Sequence, residues 1–155
     1  MQIKIIAIGQ KMPEWVENAY EEYSKRLPSE WKLNLTSLEA CPRTSKANIK
    51  KTMLKESQAL LSKTSSQDFI ISLDRQGKSL TTLELSEKLH RFSQESLSVC
   101  FLIGGPEGLT PECLQKSNFV WSLSSLTFPH TLVRVILIEQ LYRAWSILAN
   151  HPYHR

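Results

Sequence analysis

Cysteine is sparse in this chain. Cys41, Cys100 and Cys113 make an odd number at wide spacing with no C-x-x-C, which argues against a disulfide framework and a zinc site. His151 and His154 near the end have no cysteine or acid beside them and are set aside as metal ligands. No uncharged apolar run reaches membrane-spanning length, so no span is expected. The opening Met1–Gly9 is too short for a signal h-region and lacks a basic n-region, so no signal peptide is expected. Charge of one sign is also in short supply: the net charge is +4, which permits an anionic partner but equally describes a solvated basic surface. G-x-G-x-x-G is missing, and no Lys-Ser/Thr follows the glycines at 104–108, so neither a dinucleotide nor a nucleoside triphosphate site is indicated. Internal repeats, low-complexity tracts and domain boundaries are not seen. What remains is a reduced, soluble, cytoplasmic protein with a single domain over residues 1–155, long enough for one ordinary core.

Glycine is few, yet three of the five fall in one stretch, Val99-Cys100-Phe101-Leu102-Ile103-Gly104-Gly105-Pro106-Glu107-Gly108. A continuous apolar run bounded by turn residues reads as a strand buried on both faces, as in parallel sheets. Ligands of open α/β folds bind outside the carboxyl ends of strands, and glycine there admits close backbone approach at φ > 0 or against a ligand. The same residues also suit a plain strand-to-helix turn. Around this stretch the chain alternates. Gln2–Ile8 reads as a strand, and Pro13 opens a helix with an apolar face of Trp15, Ala19, Tyr20 and Tyr23. Trp31, Leu33, Leu35 and, after a slip, Leu38 suggest a second strand. Residues 41–48 read as an exposed loop with solvated charges, Arg43 and Lys46 among them. A helix over 49–61 turns Met53, Ser57, Leu60 and Leu61 inward. Phe69–Asp74 is a third strand running into Arg75-Gln76-Gly77-Lys78. Thr81 or Thr82 caps a helix carrying Leu83, Leu85, Leu89 and Phe92. Pro111 starts another helix, and Phe119–Leu123 is the final strand. The alternation predicts an α/β fold, a parallel sheet with helices on both faces.

Ser122 to His130 is a hydroxyl-rich loop, and Thr131 to Asn150 reads as a helix of about 30 Å. Its apolar residues cover nearly the whole circumference, so it must be buried on all sides. A second subunit is the economical cover, with Ile138 and Tyr142 expected to face the partner. Arg134 reads as a phosphate holder or as a solvated or paired charge, and Glu139 and Arg143 have the spacing to pair. In the tail Asn150–Arg155 an aromatic lies among cations, which suits stacking on an unstacked base beside a phosphate. Terminal fraying is the plain alternative.

The segments Leu102–Gly108, Ser122–Arg134, Leu141–Trp145 and Asn150–Arg155, with Lys11–Val16 and Leu73-Asp74 before Gly77-Lys78, resemble the ribosomal large-subunit methyltransferase H family. The resemblance runs the whole chain, is closest from residue 101 onward and is weakest over 41–48, so it assigns no RNA contact to Arg43 or Lys46. It implies a SPOUT-type C-terminal trefoil knot and transfer of a methyl group from S-adenosylmethionine to N3 of a pseudouridine in large-subunit ribosomal RNA. Matching the family's cofactor site are Leu73, Gly104, Leu123, Ser124, Ser125, Leu126, Thr127 and Phe128. No residue announces itself as the base; His130 and Arg134 are the catalytic candidates, and Arg143, Tyr153, His154 and Arg155 the RNA-contact candidates. With no appended RNA-binding domain and so small a charge, naked RNA would be gripped weakly. The homodimer expected from the final helix would help, the tail of one subunit reaching the donor pocket of the other, with substrate shape supplied by an assembled ribosome. A non-enzymatic nucleotide- or RNA-binding α/β module, with a purely structural glycine loop, is the alternative.

Overall fold

The computed structural model describes the chain from Met1 to Arg155, the side chain of Ala47 excepted. Five strands, β1 (Gln2–Ile8), β2 (Lys32–Leu38), β3 (Asp68–Ser79), β4 (Ser98–Ile103) and β5 (Phe119–Ser122), form one sheet in the order β2-β1-β4-β3-β5. Every pairing is parallel, which demands a crossover between strands. The crossovers carry α1 (Glu14–Ser24), α2 (Ile49–Ser62), α3 (Thr82–Gln94) and α4 (Pro111–Gln115), and α5 (His130–Leu148) follows the last strand. β1 and β4 occupy the sheet's middle and are the most apolar strands, because both of their faces are covered.

Successive side chains of a strand point to opposite faces, and the two cores divide accordingly. Ile3, Ile5 and Ala7 of β1 with Val99, Phe101 and Ile103 of β4 meet Leu85, Leu89, Leu137, Ile138 and Leu141 of α3 and α5 on one side. Ile6, Ile8, Cys100 and Leu102 meet Leu60 of α2 and Cys113 of α4 on the other. Leu38 needs no slip, since β2 pairs with β1 in unbroken register and Leu38 simply joins the second core while Leu33 and Leu35 join the first.

The predicted helix faces depart from expectation in three places, although Leu85, Leu89 and Phe92 of α3 are buried as expected. On α1 the buried residue is Val16, with Tyr20 and Tyr23 packed on the core, while Trp15 is 55% exposed. Leu83, in the first turn of α3, is 57% exposed; that helix is instead anchored by a capping box between Thr81 and Glu84. α5 lies against α1 and α3 and buries Leu137, Ile138, Leu141 and Tyr142 within its own chain. Ile138 and Tyr142 therefore do not face a partner. The α5 residues left outside the core are Leu132, Val135, Ile136 and Ile147, one stripe at helical spacing.

Candidate functional site

The carboxyl ends of β3 and β5 form the floor of the site. β3 pairs with β5 up to Leu73↔Trp121, loses register, and resumes at Lys78↔Trp121. The intervening residues bulge outward, which bends a strand and re-aims its side chains. Gly77 closes the bulge because a Cβ there would lie 2.6 Å from the Val120 carbonyl oxygen. Asp74 and Arg75 are thereby carried into a cavity of about 130 Å³, beside Leu73. From the opposite side come Leu123, Ser124, Leu126, Thr127 and Phe128, with Trp121 and Val133 behind.

The loop after β5 is shaped by its own hydroxyls: Ser122 Oγ donates to the Ser124 carbonyl at 2.9 Å, and Ser124 Oγ accepts from the Leu126 amide at 3.0 Å. Arg75 Nη1 donates to Thr127 Oγ1 at 3.1 Å and ties the bulge to the loop. Trp121 is buried, and its indole N–H finds no acceptor among the described residues; a buried donor is normally partnered. Leu126 is 70% exposed.

Of the residues expected to hold a cofactor, Leu73, Leu123, Ser124, Leu126, Thr127 and Phe128 gather here, whereas Ser125 and Gly104 do not line the cavity. Gly104 serves its own loop. A Cβ there would lie 2.8 Å from the Gly108 carbonyl carbon and oxygen, where Gly108 N–H donates to the Gly105 carbonyl. Of the three glycines in this loop, Gly108 is the one with positive φ, +85°, and it is the point at which the loop nears Asp74. Sequence reasoning missed Asp74, Arg75, Trp121 and Val133. Gly77 was the one available signal.

His130, half-buried at the first turn of α5, brings its imidazole to the carboxyl end of β1, with Nε2 3.7 Å from the point a Gly9 Cβ would occupy. Burial, reinforced by Arg134 and Arg43, lowers its pKa below the usual histidine value. Arg134, one turn on, is neither solvated nor paired with a carboxylate. It is 2% exposed, and its guanidinium donates to Ser37 Oγ and the Ile8 carbonyl, each at 3.0 Å, and to the Gly9 carbonyl. Burial lowers its pKa too. Arg43 lies in an exposed loop, as expected, but its guanidinium is paired: it bridges Glu56 and Glu107.

The tail is docked rather than frayed. Tyr153 packs on Tyr142 at 4.6 Å between ring centroids and donates to Glu139 Oε1 at 3.0 Å. Arg143 pairs with the same Glu139 at 2.8 Å and lies 4.8 Å above the Tyr153 ring. Arg143 stands thirteen residues along α5 from His130, about 20 Å at the helical rise, and none of Arg143, Tyr153, His154 and Arg155 lines the cavity within one chain. No helix is long and apolar enough to cross a membrane, and no metal-holding group of His, Cys, Asp and Glu occurs among the described residues.

Residues 1–154 match the family model described as "Predicted SPOUT methyltransferase". Ribosomal RNA large subunit methyltransferase H of Coxiella burnetii is 47% identical over 155 residues, all of both chains. The protein of that name from Thioalkalivibrio sulfidiphilus is 46% identical over all of this chain and 99% of its own. Among solved structures, a probable methylase family protein from Haemophilus influenzae superposes with a TM-score of 0.58 at 14% identity, over 99% of this chain and 70% of the other. A putative methylase family protein from Neisseria gonorrhoeae gives 0.52 at 12%, over 96% and 93%. These two likenesses concern the fold alone.

Proposed function

The chain belongs to the SPOUT methyltransferase family, and from that premise we propose that it methylates N3 of a pseudouridine in large-subunit ribosomal RNA, with S-adenosylmethionine held at the carboxyl ends of β3 and β5. The observation that carries the donor assignment is the cavity between Leu73 and the Leu123–Phe128 loop. Its apolar walls suit an adenine. At about 130 Å³ the cavity is smaller than the roughly 300–1,000 Å³ usual for such ligands, so the 123–128 loop opens or a second subunit adds a wall when the donor binds. The C-terminal trefoil knot belongs to the proposal as a family property, as do the cytoplasmic location and the action of residues 1–155 as one domain.

The donor supplies an already activated sulfonium methyl; the protein's work is to hold the nucleophile in line and to take a proton from N3. His130 is the proton acceptor in this reading, because burial keeps its imidazole neutral near pH 7. Arg134 places a fixed positive charge one turn away, where it favours an anionic uracil oxygen. Arg143, Tyr153, His154 and Arg155 contact RNA from the partner subunit, since about 20 Å separates Arg143 from His130 in one chain. Substrate shape supplied by an assembled ribosome compensates for a net charge of only +4.

Leu126→Asp tests the donor site without touching the core. Calorimetry should show S-adenosylmethionine binding weakened about tenfold or more, with the melting temperature unchanged. Wild-type affinity in that variant would remove the 123–128 loop from the site.

A further inference from the structure

Glu107 stands in the glycine loop, Glu56 on α2 and Arg43 in the loop after β2, and no role in the site has been given to them. Their side chains form one bridge. Arg43 Nη1 donates to Glu56 Oε1 at 2.5 Å and Nη2 to Glu56 Oε2 at 3.0 Å, while Nη2 also donates to Glu107 Oε2 at 2.8 Å. The Cys41 amide adds a bond to Glu56 Oε1 at 3.0 Å, and Arg43 Nη1 returns one to the Cys41 carbonyl at 2.7 Å. Glu56 is 2% exposed, so it is the fixed anchor, gripped by both guanidinium nitrogens. Glu107 is the more exposed end, held by one.

Gly105 shows that the bridge has shaped the loop. A Cβ there would lie 2.7 Å from Arg43 Nη2 and 2.8 Å from Glu56 Oε2, so glycine makes room for the ion pair and not for a ligand. The planar fork of arginine is what allows two carboxylates from different elements to share one cation.

We infer that Arg43 is a positioning residue: by joining Glu56 of α2 to Glu107 it fixes the Gly104–Gly108 loop beside both Asp74 of the donor cavity and His130. The inference rests on the methyltransferase reading for its consequence, but the bridge can be tested without RNA. Four charged groups act on His130: Arg134 on its own helix, Arg43, Glu56 on α2 and Glu107 in the glycine loop. Arg43→Gln removes one of the two cations acting on His130 and leaves both carboxylates, so the imidazole should titrate at higher pH than in wild type. Glu107→Gln removes one negative charge and keeps Arg43, so it should titrate lower. Loss of mere local packing would not move the two in opposite directions.

The experiment is a nuclear magnetic resonance pH titration of His130 in wild type, Arg43→Gln, Arg43→Lys and Glu107→Gln, with S-adenosylmethionine calorimetry on each. Opposite shifts, donor affinity down at least about fivefold in Arg43→Gln, and a His130 midpoint restored by Arg43→Lys would support the bridge. Unmoved midpoints with donor affinity within twofold of wild type would overturn it. Should Arg43→Gln fail to fold, Glu107→Gln decides alone, because it leaves the Arg43–Glu56 anchor in place. A wild type that binds no S-adenosylmethionine would sink the proposed function and leave the titration to judge Arg43.

Discussion

Asp68 opens β3 at the amino edge of the sheet, far from the strand ends that form the site. Its fully covered carboxylate accepts from Lys4 Nζ at 2.9 and 3.0 Å, Ser98 Oγ at 2.6 Å and the Ser65 amide at 2.8 Å. Burial pushes its pKa up, but these donors outweigh burial and hold it below the usual carboxylate value. A folded pKa below the unfolded one means stability that is fully present above the unfolded value of about 4 and lost as pH falls below it through the lower folded pKa. Asp68→Asn should cost about 1.5–3 kcal/mol at pH 7. Urea unfolding should show that gap narrowing progressively as pH drops below about 4, with donor binding at neutral pH untouched. None of this was visible beforehand, because an acid at a strand's start reads as solvated until the strand order places Lys4 and Ser98 beside it. Glu56 hid for the same reason, on a helix whose other charges do face water.

Strands were more legible than helix faces. β1 and β4 are apolar on both sides and announce themselves, whereas Trp15 and Leu83 are apolar side chains in exposed first turns that helical spacing alone assigns to the core. The cavity was legible where a hydroxyl-rich loop follows β5, misread at the glycine loop after β4, and illegible at Asp74 and Arg75, which a register shift delivers. For α5 the two sides of the helix give separable outcomes. Ile138 is wholly buried, so Ile138→Ala should lose about 2–5 kcal/mol in denaturant melts. Ile136, in the outward stripe, should tolerate Asp within about 0.5 kcal/mol as a monomer. At α3, Thr81→Ala should cost about 1 kcal/mol by removing half of the capping box.

At the scale of the whole molecule the outward stripe of α5 and the distance between tail and cavity lead to one expectation. If the stripe is an interface between two copies, wild type sediments as a dimer at micromolar concentration. Ile136→Asp then sediments as a folded monomer and loses methyl transfer to ribosomes, since neither copy can bring Arg143 and Arg155 to the other's cavity. A monomeric wild type with full activity would dismiss the shared site. Activity should also fall as pH drops below the ordinary histidine range, as His130 becomes charged.

The placement of the three cysteines has a practical consequence. Cys100 and Cys113 are wholly buried in the second core, and burial pushes the Cys100 thiol up to about 12 and that of Cys113 in the same direction. The thiolate is the nucleophile that attacks an alkylating reagent or an oxidant, so both sulfurs stay silent until the chain unfolds. Cys41 is free and only half-covered, and its backbone is part of the Arg43 bridge. A maleimide dye added to the unmodified protein therefore labels one position, beside the joint between Arg43 and the glycine loop, and its emission becomes a clock for that joint's opening.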